Sequence, residues 1–429
     1  MTARRISPAG EAVLAFLVPG SAQLRAGRRL IGGIAVAVWL LLWLALLVIV
    51  VVFVASPATG FGLAANSSWL SVASAVALVL AALWFVLGGF TVQLLVRRRR
   101  MTGAALGRRI AVVAATVVAT LVSGGIPLAA AGALHTVAQT ETRLFVGSPD
   151  VTLSDGRLNI LLLGTDAGPD REGRRTDSIS VVSVDAATGR VVLVGLPREL
   201  QQVPLPEDSP LRADYPSGVY DCGNDCQLGF LFQRTEQFTP EEFPDALAQH
   251  SSPGVEAVRD AAEGALGMVI PYYLQVDMLG FSALIDEVGG VELDVSERLP
   301  IDGDENGVGV AGYIEPGTQR MNGTTALWYA RSRQSTSDFD RMSRQRELEQ
   351  ALLEQKSPLS LGLAFARVTE RDPGVVGTDL TEGALGRLLA LASAARDQPV
   401  TTLELTPPAV DPQNPDYAAV RGMVAAALG

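Results

Sequence analysis

Histidine is scarce in this chain of 429 residues, in which only His135 and His250 occur. The first lies at the end of an apolar stretch and the second in a loop-like segment far along the chain. A serine–histidine–aspartate triad needs a histidine beside its nucleophile, and a zinc site built from histidines needs several of them together. The sequence therefore argues against both kinds of chemistry.

Charged residues are absent from three long apolar stretches, residues 31–55, 69–96 and 110–134. Each is longer than the roughly 20 residues with which an α-helix crosses a bilayer. We therefore predict three transmembrane helices in a membrane region that extends over residues 31–138. The number and length of these stretches disfavour a cleaved signal peptide.

The arginines around these stretches predict the orientation of the chain. One group precedes the first stretch and another separates the second stretch from the third, whereas the segment 56–68 is uncharged. Because cytoplasmic loops are enriched in basic residues, both groups are placed in the cytoplasm. The groups are Arg25, Arg28 and Arg29, and Arg97 to Arg100 with Arg108 and Arg109. This predicts a multi-pass protein of the cell membrane, with residues 1–30 cytoplasmic and everything after residue 138 extracytoplasmic.

The two parts of the chain differ in charge. The first 140 residues carry 11 arginines and one acidic residue, whereas the remaining residues carry a net charge of −21. Nucleic-acid binding relies on basic surface, so the acidic part is not expected to bind nucleic acid. Within it, polar residues 139–156 predict a tether, and residues 157–429 are long enough for one large domain.

Cysteine is limited to Cys222 and Cys226, in the turn-rich sequence Asp-Cys-Gly-Asn-Asp-Cys. A metal site built on this pair would need two further ligands. Oxidising conditions outside the membrane favour a small structural disulfide, and two free thiols are the alternative.

The sequence of the first part of the domain predicts the strands of a sheet. Residues 158–164 form a continuous apolar run, which predicts a strand buried on both faces. Residues 178–185 and 190–196 are rich in valine and flank Ala-Ala-Thr-Gly, which predicts a hairpin. The following segment, 205–253, is rich in Pro, Gly and acids and has only weak periodicity.

The second part alternates between helix and strand. Residues 254–268 favour a helix, and residues 272–276 and 291–295 favour strands. Between these two strands, Asp277 is predicted to cap a helix that ends at a Gly-Gly pair. The alternation indicates an α/β domain.

Two aspartates follow the first elements of this sheet. Asp166 comes directly after the buried strand, and Asp177 follows a short loop. The carboxyl ends of strands in open α/β sheets line a ligand crevice, and two carboxylates there suit a hard cation. Both are therefore candidate ligands for Mg²⁺ (or Mn²⁺). The alternative is that both are turn or capping residues, positions that aspartate also favours.

A second cluster gathers arginines in this acidic domain. One pair, two residues apart on a segment predicted to be extended, should face the same way, and another set shares one face of a following helix. The pair is Arg331 and Arg333, and the helical set is Arg341, Arg344 and Gln345. Guanidinium groups match phosphate oxygens, so these donors indicate a pyrophosphate ligand and phosphoryl chemistry. A solvated network of ion pairs is the alternative, because the helix is also rich in glutamate.

The helix that carries this set is predicted to run to about residue 355. Its start is predicted at Asp338 or Asp340, since aspartate is a favoured capping residue. The positive end of a helix favours anions, so this start also suits a phosphate group.

Six motifs, in the order in which they stand, resemble the LytR-CpsA-Psr family. They extend over about residues 158–355 and read Asn-Ile-Leu-Leu-Leu-Gly-Thr-Asp, Arg-Thr-Asp-Ser-Ile, Leu-Pro-Arg-Glu, Tyr-Tyr-Leu-Gln-Val-Asp with Leu-Ile-Asp-Glu-Val-Gly-Gly-Val, Leu-Trp-Tyr-Ala-Arg-Ser-Arg, and Asp-Arg-Met-Ser-Arg-Gln-Arg. Six ordered motifs are more specific than any one of them. The resemblance implies a mixed central sheet flanked by helices. It also implies a membrane-anchored phosphotransferase that joins a polyprenyl-(pyro)phosphate-linked glycopolymer to peptidoglycan through a phosphodiester.

The resemblance further implies roles for individual residues. Asp166 and Asp177 would hold Mg²⁺. Apart from the resemblance, Asp338 is a candidate general base, and the alternative is an alkoxide formed on the cation without a dedicated base. The pyrophosphate would be held, with support from Gln345, by Arg175, Arg198, Arg331, Arg333 and Arg341. The polyprenyl tail of family members lies in an apolar tunnel between the sheet and the helices, and the Val- and Leu-rich elements suit such a lining.

Three features depart from the family pattern. Glu199 stands where the family usually has aspartate, and Asp340 replaces a frequent glycine and adds a carboxylate near the arginines. The segment 204–253, with its two cysteines, is also unusual and leaves glycan and acceptor recognition open. Two other functions stay open as well: a pyrophosphatase that hydrolyses the same lipid, and a noncatalytic polyprenyl-lipid-binding or regulatory protein.

The arginine groups generate a prediction about topology. A reporter fused after residue 103 should behave as cytoplasmic, and one fused after residue 429 as extracytoplasmic, because the third span separates the two positions. Paired reporters that are active on opposite sides of the membrane measure this. A fusion after residue 429 that is active only in the cytoplasm would contradict the orientation.

Overall fold

The computed structural model describes residues 18–25, 27–55, 67–97, 104–144, 150–166, 175–302, 308–332, 337–372, 374–394 and 400–429. Arg333, the arginines at positions 98–100 and part of the predicted tether lie outside these residues. The chain divides into two compact units, Met1–Gln139 and Thr140–Gly429.

The first unit consists of helices. Among the described residues these are α1 (Ser21–Arg25), α2 (Arg29–Ala55), α3 (Ser67–Arg97) and α4 (Ala104–Leu144). Two stretches of 26 residues, Ser68–Gln93 and Ile110–His135, are long and apolar enough to cross a membrane, which indicates a membrane protein. The span predicted over residues 31–55 coincides with α2, whose described residues form a shorter apolar stretch, Arg29–Leu41. The three-span topology therefore stays a prediction.

Close packing between α3 and α4 relies on small residues. A Cβ atom at Gly88 of α3 would meet the side chain of Thr120 of α4, and one at Gly124 of α4 would meet the ring of Phe85. Ser74 also donates a hydrogen bond of 3.0 Å from its hydroxyl to the carbonyl oxygen of Ala131. Such contacts are typical of helices that associate in an apolar solvent.

A six-stranded mixed sheet forms the centre of the second unit. Its order is β11-β6-β1-β2-β3-β12, in which the pairs β1–β6 and β3–β12 are parallel and the other pairs antiparallel. The strands are β1 (Arg157–Thr165), β2 (Thr176–Asp185), β3 (Val191–Leu196), β6 (Tyr272–Asp277), β11 (Val376–Thr378) and β12 (Thr401–Glu404). The α/β class, the buried first strand and the hairpin of β2 and β3 are thereby confirmed.

Helices cover both faces of this sheet. The helices of the second unit are α5 (Leu228–Phe238), α6 (Pro253–Leu266), α7 (Met278–Glu287), α8 (Gly323–Arg331), α9 (Asp338–Gln355), α10 (Pro358–Arg371), α11 (Glu382–Ala394) and α12 (Tyr417–Leu428). Side chains of β1 alternate between two cores, as a strand requires. Leu161 and Leu163 pack with residues of α5, α6 and α12, whereas Leu158 and Ile160 pack with residues of α11. The near-continuous apolar sequence of β1 follows from this burial on both sides.

Shorter elements complete the unit. Three two-stranded antiparallel pairs are β4 (Val203–Pro204) with β5 (Val219–Tyr220), β7 (Val291–Val295) with β10 (Gly317–Met321), and β8 (Leu299–Ile301) with β9 (Gly312–Ile314). Short 3₁₀ helices cover Pro210–Ala213, Pro240–Glu242 and Leu247–Gln249. The strand predicted at residues 291–295 thus exists as β7, but it belongs to a small separate sheet.

Helix starts in this unit follow capping chemistry. The Asp277 side chain accepts a hydrogen bond of 2.8 Å from the Gly280 backbone N–H at the start of α7, as predicted. α5 lies in the segment that showed weak periodicity, and its capping residue, Gln227, makes no side-chain capping bond. The absence of a capping signal explains why the sequence did not reveal this helix.

A disulfide joins Cys222 to Cys226 directly before α5, with Cα atoms 5.1 Å apart. Cys226 is buried in the core of the unit, whereas Cys222 is exposed. The bond therefore ties an exposed loop to a buried anchor at the start of the helix.

A buried charged cluster lies where α9 meets the sheet. Arg346 is only 4% exposed and contacts Glu349 of its own helix, and its Nε lies 3.6 Å from Oε1 of Glu404 on β12. Its Nη2 donates to the hydroxyl of Ser178 at 3.1 Å. Burial raises the pKa of both carboxyl groups, that of Glu404 to about 7, although Arg346 opposes the shift.

The disulfide generates a prediction about stability. Cys222→Ser should lower the free energy of unfolding by at most about 2 kcal/mol, because so short a loop removes little entropy from the unfolded chain. Denaturant unfolding of the full chain measures this. Non-reducing mass mapping of freshly isolated membranes should find the two cysteines bonded to each other, and recovery of both as free thiols would contradict the pairing.

The charged cluster generates a prediction about pH. A carboxyl group whose pKa is raised in the folded state stabilises the fold below its unfolded pKa and loses that effect as the pH rises through the folded pKa. For Glu404 this window runs from about 4.5 to about 7. Glu404→Gln should therefore lose less stability than the wild type between pH 5 and pH 7.5. Glu315→Gln, at an exposed site, is the matched control, and identical pH profiles for Glu404→Gln and the wild type would refute the assignment.

Candidate active site

Strand pairing brings the two candidate metal ligands to one end of the sheet. Thr165 of β1 pairs with Thr176 of β2, so the residues that follow β1 and begin β2 are neighbours. Asp166 is buried, and its Oδ1 accepts a hydrogen bond of 2.8 Å from the backbone N–H of Arg175. Asp166, Arg175 and Asp177 all line the same cleft.

Arg198, in the turn after β3, binds the second of these aspartates. Its Nη1 donates to Oδ1 of Asp177 at 2.8 Å. Its Nε lies 2.9 Å from Oε1 of Glu199 and 3.3 Å from Oδ2 of Asp338, and its Nη2 lies 3.3 Å from Oδ1 of Asp338. One guanidinium group therefore contacts three carboxylates.

Arg341 enters the same network from α9. It is 1% exposed, and its Nη2 donates to Oδ2 of Asp338 at 2.7 Å, while its Nη1 lies 3.9 Å from Oδ1 of Asp177. Two guanidinium groups thus flank Asp177 and Asp338. Arg198 follows β3, whereas Arg341 and Asp338 belong to α9. The fold therefore brings together groups that are more than a hundred residues apart in the sequence.

Glu199 is a site residue that the sequence presented only as a departure from the family pattern. Burial and the neighbouring Asp338 carboxyl raise the pKa of Glu199 above its ordinary range, and Arg198 opposes the shift. Two carboxyl groups on one guanidinium repel each other unless one of them holds a proton. Glu199 therefore releases its proton less readily than an isolated carboxyl group.

The start of α9 differs from the prediction. Ser337, not Asp338 or Asp340, is the capping residue, and the side chains of Ser337 and Asp340 form a reciprocal capping box. Hydrogen bonds from the Ser337 hydroxyl and backbone N–H lower the pKa of Asp340. Asp340 is thereby turned back to the helix end, whereas Asp338 in the same turn contacts the arginines.

Arg344 and Gln345 lie one turn further along α9. The Nε of Arg344 donates to the carbonyl oxygen of Tyr329 at 3.0 Å, and another of its nitrogens contacts that of Ser332. Gln345 donates to the carbonyl oxygen of Ala330 at 3.2 Å. These carbonyls belong to the last turn of α8 and to its C-terminal capping residue, where a helix leaves carbonyl oxygens to be bonded by other groups. The two side chains therefore fasten the end of α8 to α9. Their predicted part in substrate binding stays a prediction.

Arg331 is the last residue of α8 rather than part of an extended segment. Asn322 caps this helix by accepting a hydrogen bond from the Thr325 N–H, and the helix continues through Arg331. The Arg331 guanidinium lies 5.2 Å from the centre of the Trp328 ring. The expectation that Arg331 and Arg333 face the same way from an extended strand was therefore wrong at Arg331, and Arg333 lies outside the described residues.

One wall of the cleft comes from α5, which the sequence did not reveal. The lining residues are Asp166, Arg175, Thr176, Asp177 and Arg198 from the sheet end, and Gln227, Gly229 and Phe230 from the start of α5. The sequence analysis did not predict these α5 residues as part of the site. Their helix begins without a side-chain capping bond, so its start was not recognised in the sequence.

The donor set fits one Mg²⁺ that is shared with a substrate. Among the described residues, no group of three or more histidine, cysteine or acidic side chains gathers as a complete metal site. Magnesium is usually bound by one or two carboxylates together with phosphate oxygens and water. Asp166 and Asp177, on one cleft with two arginines beside them, meet that requirement.

Several proteins resemble this chain. It is 27% identical over 264 residues to the cell wall biosynthesis protein LcpA of Corynebacterium glutamicum, which covers 57% of this chain and 49% of LcpA. It is 31% identical over 166 residues to the polyisoprenyl-teichoic acid–peptidoglycan teichoic acid transferase TagV of Bacillus subtilis, over 37% of this chain and 41% of TagV. The crystal structure of B. subtilis TagV matches with a TM-score of 0.45 and 22% identity, over 64% of this chain and 98% of that one. The chain thus spans about half the length of the relatives it matches by sequence.

The match to a family model is broader. The LytR_cpsA_psr family model covers residues 130–422, which is more than half of the chain and includes every described residue of the network around Arg198. The motif resemblance noted in the sequence is thereby confirmed. The chain belongs to the LytR-CpsA-Psr family.

Proposed function

We propose that this protein is a membrane-anchored, multi-pass phosphotransferase whose catalytic domain lies outside the cell membrane. It transfers a glycopolymer from a polyprenyl-(pyro)phosphate carrier to a hydroxyl group of peptidoglycan and leaves a phosphodiester link. The observation that supports this best is the convergence of Arg198 and Arg341 on Asp177 and Asp338 beside the cleft. The names of TagV and LcpA, a teichoic acid transferase and a cell wall biosynthesis protein, agree with it.

The arginines provide the binding of the charged part of the donor. In the structure the guanidinium groups of Arg198 and Arg341 contact carboxylates. A pyrophosphate can take over some of these contacts because guanidinium groups bind phosphate oxygens in pairs. We assign this binding to Arg175, Arg198, Arg331, Arg333 and Arg341. Fixed positive charges in a partly buried cleft stabilise the charge that builds up during phosphoryl transfer.

The transfer step requires one bond to form and one to break. The oxygen of the acceptor hydroxyl attacks the phosphorus attached to the glycan, and the bond from that phosphorus to the bridging oxygen breaks. The products are the glycan phosphodiester and polyprenyl phosphate. Asp338, held by Arg198 and Arg341, takes the proton from the acceptor hydroxyl, and Glu199 lies beside it on the same guanidinium group.

Asp166 and Asp177 would hold Mg²⁺ (or Mn²⁺) in this scheme. When bound, the cation supplies positive charge to the phosphoryl oxygens and orients them. The backbone N–H of Arg175 keeps Asp166 at the cleft, and Arg198 does the same for Asp177.

This proposal generates a prediction about activity. Asp177→Ala and Arg331→Ala should each lower the turnover of a polyprenyl-pyrophosphate-linked glycan by at least about a hundredfold, the scale of losing one preorganised charge. Arg331→Lys should restore little of it, because an ammonium group cannot form the paired contacts of a guanidinium. Formation of peptidoglycan-linked polymer, measured with and without Mg²⁺, gives the readout.

The control has to be an arginine outside the site. Arg346 is unsuitable, because it is buried against Glu349 and Glu404 and its loss would disturb the fold. Arg298 pairs with Glu315 at an exposed site, so Arg298→Ala should keep full activity. Full Mg²⁺-dependent activity in Asp177→Ala would disprove the metal assignment, and release of free glycan phosphate without peptidoglycan linkage would identify a hydrolase instead.

A further inference from the structure

The first turn of α5 is fixed against the segment that carries Arg198. The Leu228 N–H donates to the carbonyl oxygen of Leu200 at 2.9 Å, and the Gly229 N–H donates to that of Arg198 at 2.8 Å. A Cβ atom at Gly229 would lie 2.8 Å from the Cβ of Arg198, so only glycine allows this approach. The disulfide ends one residue before Gln227 and anchors the same turn. The α5 wall of the cleft therefore has a defined position relative to the arginines.

The chemistry of this wall differs from that of the charged network. Phe230 lines the cleft with 37% of its surface exposed, and Gln227 and Gln233 precede and follow it at intervals of three residues. Gln227 also lines the cleft. Gln233 accepts a hydrogen bond of 3.0 Å from the Nε of Arg175, and its Nε2 donates to Gln237 at 3.1 Å. An aromatic ring beside the Gln227 amide suits a sugar, whose C–H face packs on the ring while its hydroxyls bond to the amide.

Arg175 connects this wall to the proposed phosphate site. Its backbone N–H holds Asp166, its guanidinium lies 5.5 Å from the centre of the Phe230 ring, and its Nε binds Gln233. A pyrophosphate bound by the arginines would therefore place the sugar attached to it within reach of Phe230. A polyprenyl tail would find charged and amide groups on either side of a single ring, which does not suit a hydrocarbon chain.

We propose that Phe230 and Gln227 form the subsite for the sugar directly attached to the pyrophosphate of the donor, and that Gln233 holds Arg175 beside them. This inference rests on the proposed function and assigns donor specificity to the segment in which the chain departs from the family pattern. The disulfide and Gly229 serve the subsite by keeping α5 in place.

The test compares two lipids bound to the full chain in detergent. One is a polyprenyl pyrophosphate that carries a single N-acetylhexosamine, and the other is the same lipid without a sugar. Phe230→Ala should weaken binding of the sugar-bearing lipid by up to about tenfold, the scale of losing one aromatic contact, and should change binding of the sugar-free lipid by less than about twofold. Phe230→Trp should keep the preference for the sugar.

Phe238 provides the matched control. It lies on the same helix, is 71% exposed and is not among the residues that line the cleft, so Phe238→Ala should leave binding of both lipids unchanged. Equal weakening of both lipids by Phe230→Ala would overturn the proposal, because it would show that Phe230 acts on the phosphate through Arg175. A loss confined to binding of a peptidoglycan disaccharide would overturn the assignment to the donor. The experiment measures lipid binding and not transfer. The comparison between the two lipids therefore tests the sugar subsite even if the protein does not catalyse the proposed transfer reaction.

Discussion

The guanidinium group of Arg198 is the contact on which the arrangement of the site depends. It binds Asp177 at the start of β2, Glu199 beside it in the chain, and Asp338 at the start of α9. Its backbone carbonyl also receives the Gly229 N–H of α5. Four segments therefore meet at one residue, and because each carboxylate contact is charge-assisted, the geometry is held more firmly than by neutral hydrogen bonds.

Helix α9 connects this site to the core. Arg341 faces Asp177 and Asp338, whereas Arg346, more than one turn later, faces Glu349 and Glu404. Burying a guanidinium group costs free energy unless a partner offsets the lost hydration, so both arginines require their carboxylates. The contacts of Arg346 with Glu349 and Glu404 fix α9 on the sheet. They thereby position Arg341 and Asp338 at the start of the helix, beside the proposed phosphate site.

Local patterns predicted much of the fold. The apolar run of β1, the hairpin of β2 and β3 and the cap at Asp277 all depend on neighbouring residues, and the structure has them where the sequence indicated. The errors came where local signals were ambiguous or absent. Ser337 occupies the capping position that an aspartate was expected to occupy. α5 begins without a side-chain cap, so its contribution to the cleft was not predicted.

The sequence by itself determined the α/β class, the family and the residue types of the site, because apolar periodicity, capping and motif order are properties of short segments. Only the tertiary structure decided which charges meet. Arg198 and Asp338 are 140 positions apart. Helical spacing separates Arg341 from Arg346, but only the packing shows that Arg341 faces the site and Arg346 faces the core. The raised pKa of Glu199 likewise depends on burial and on Asp338, since the dielectric and the neighbours of a carboxyl group are fixed only when distant segments pack together.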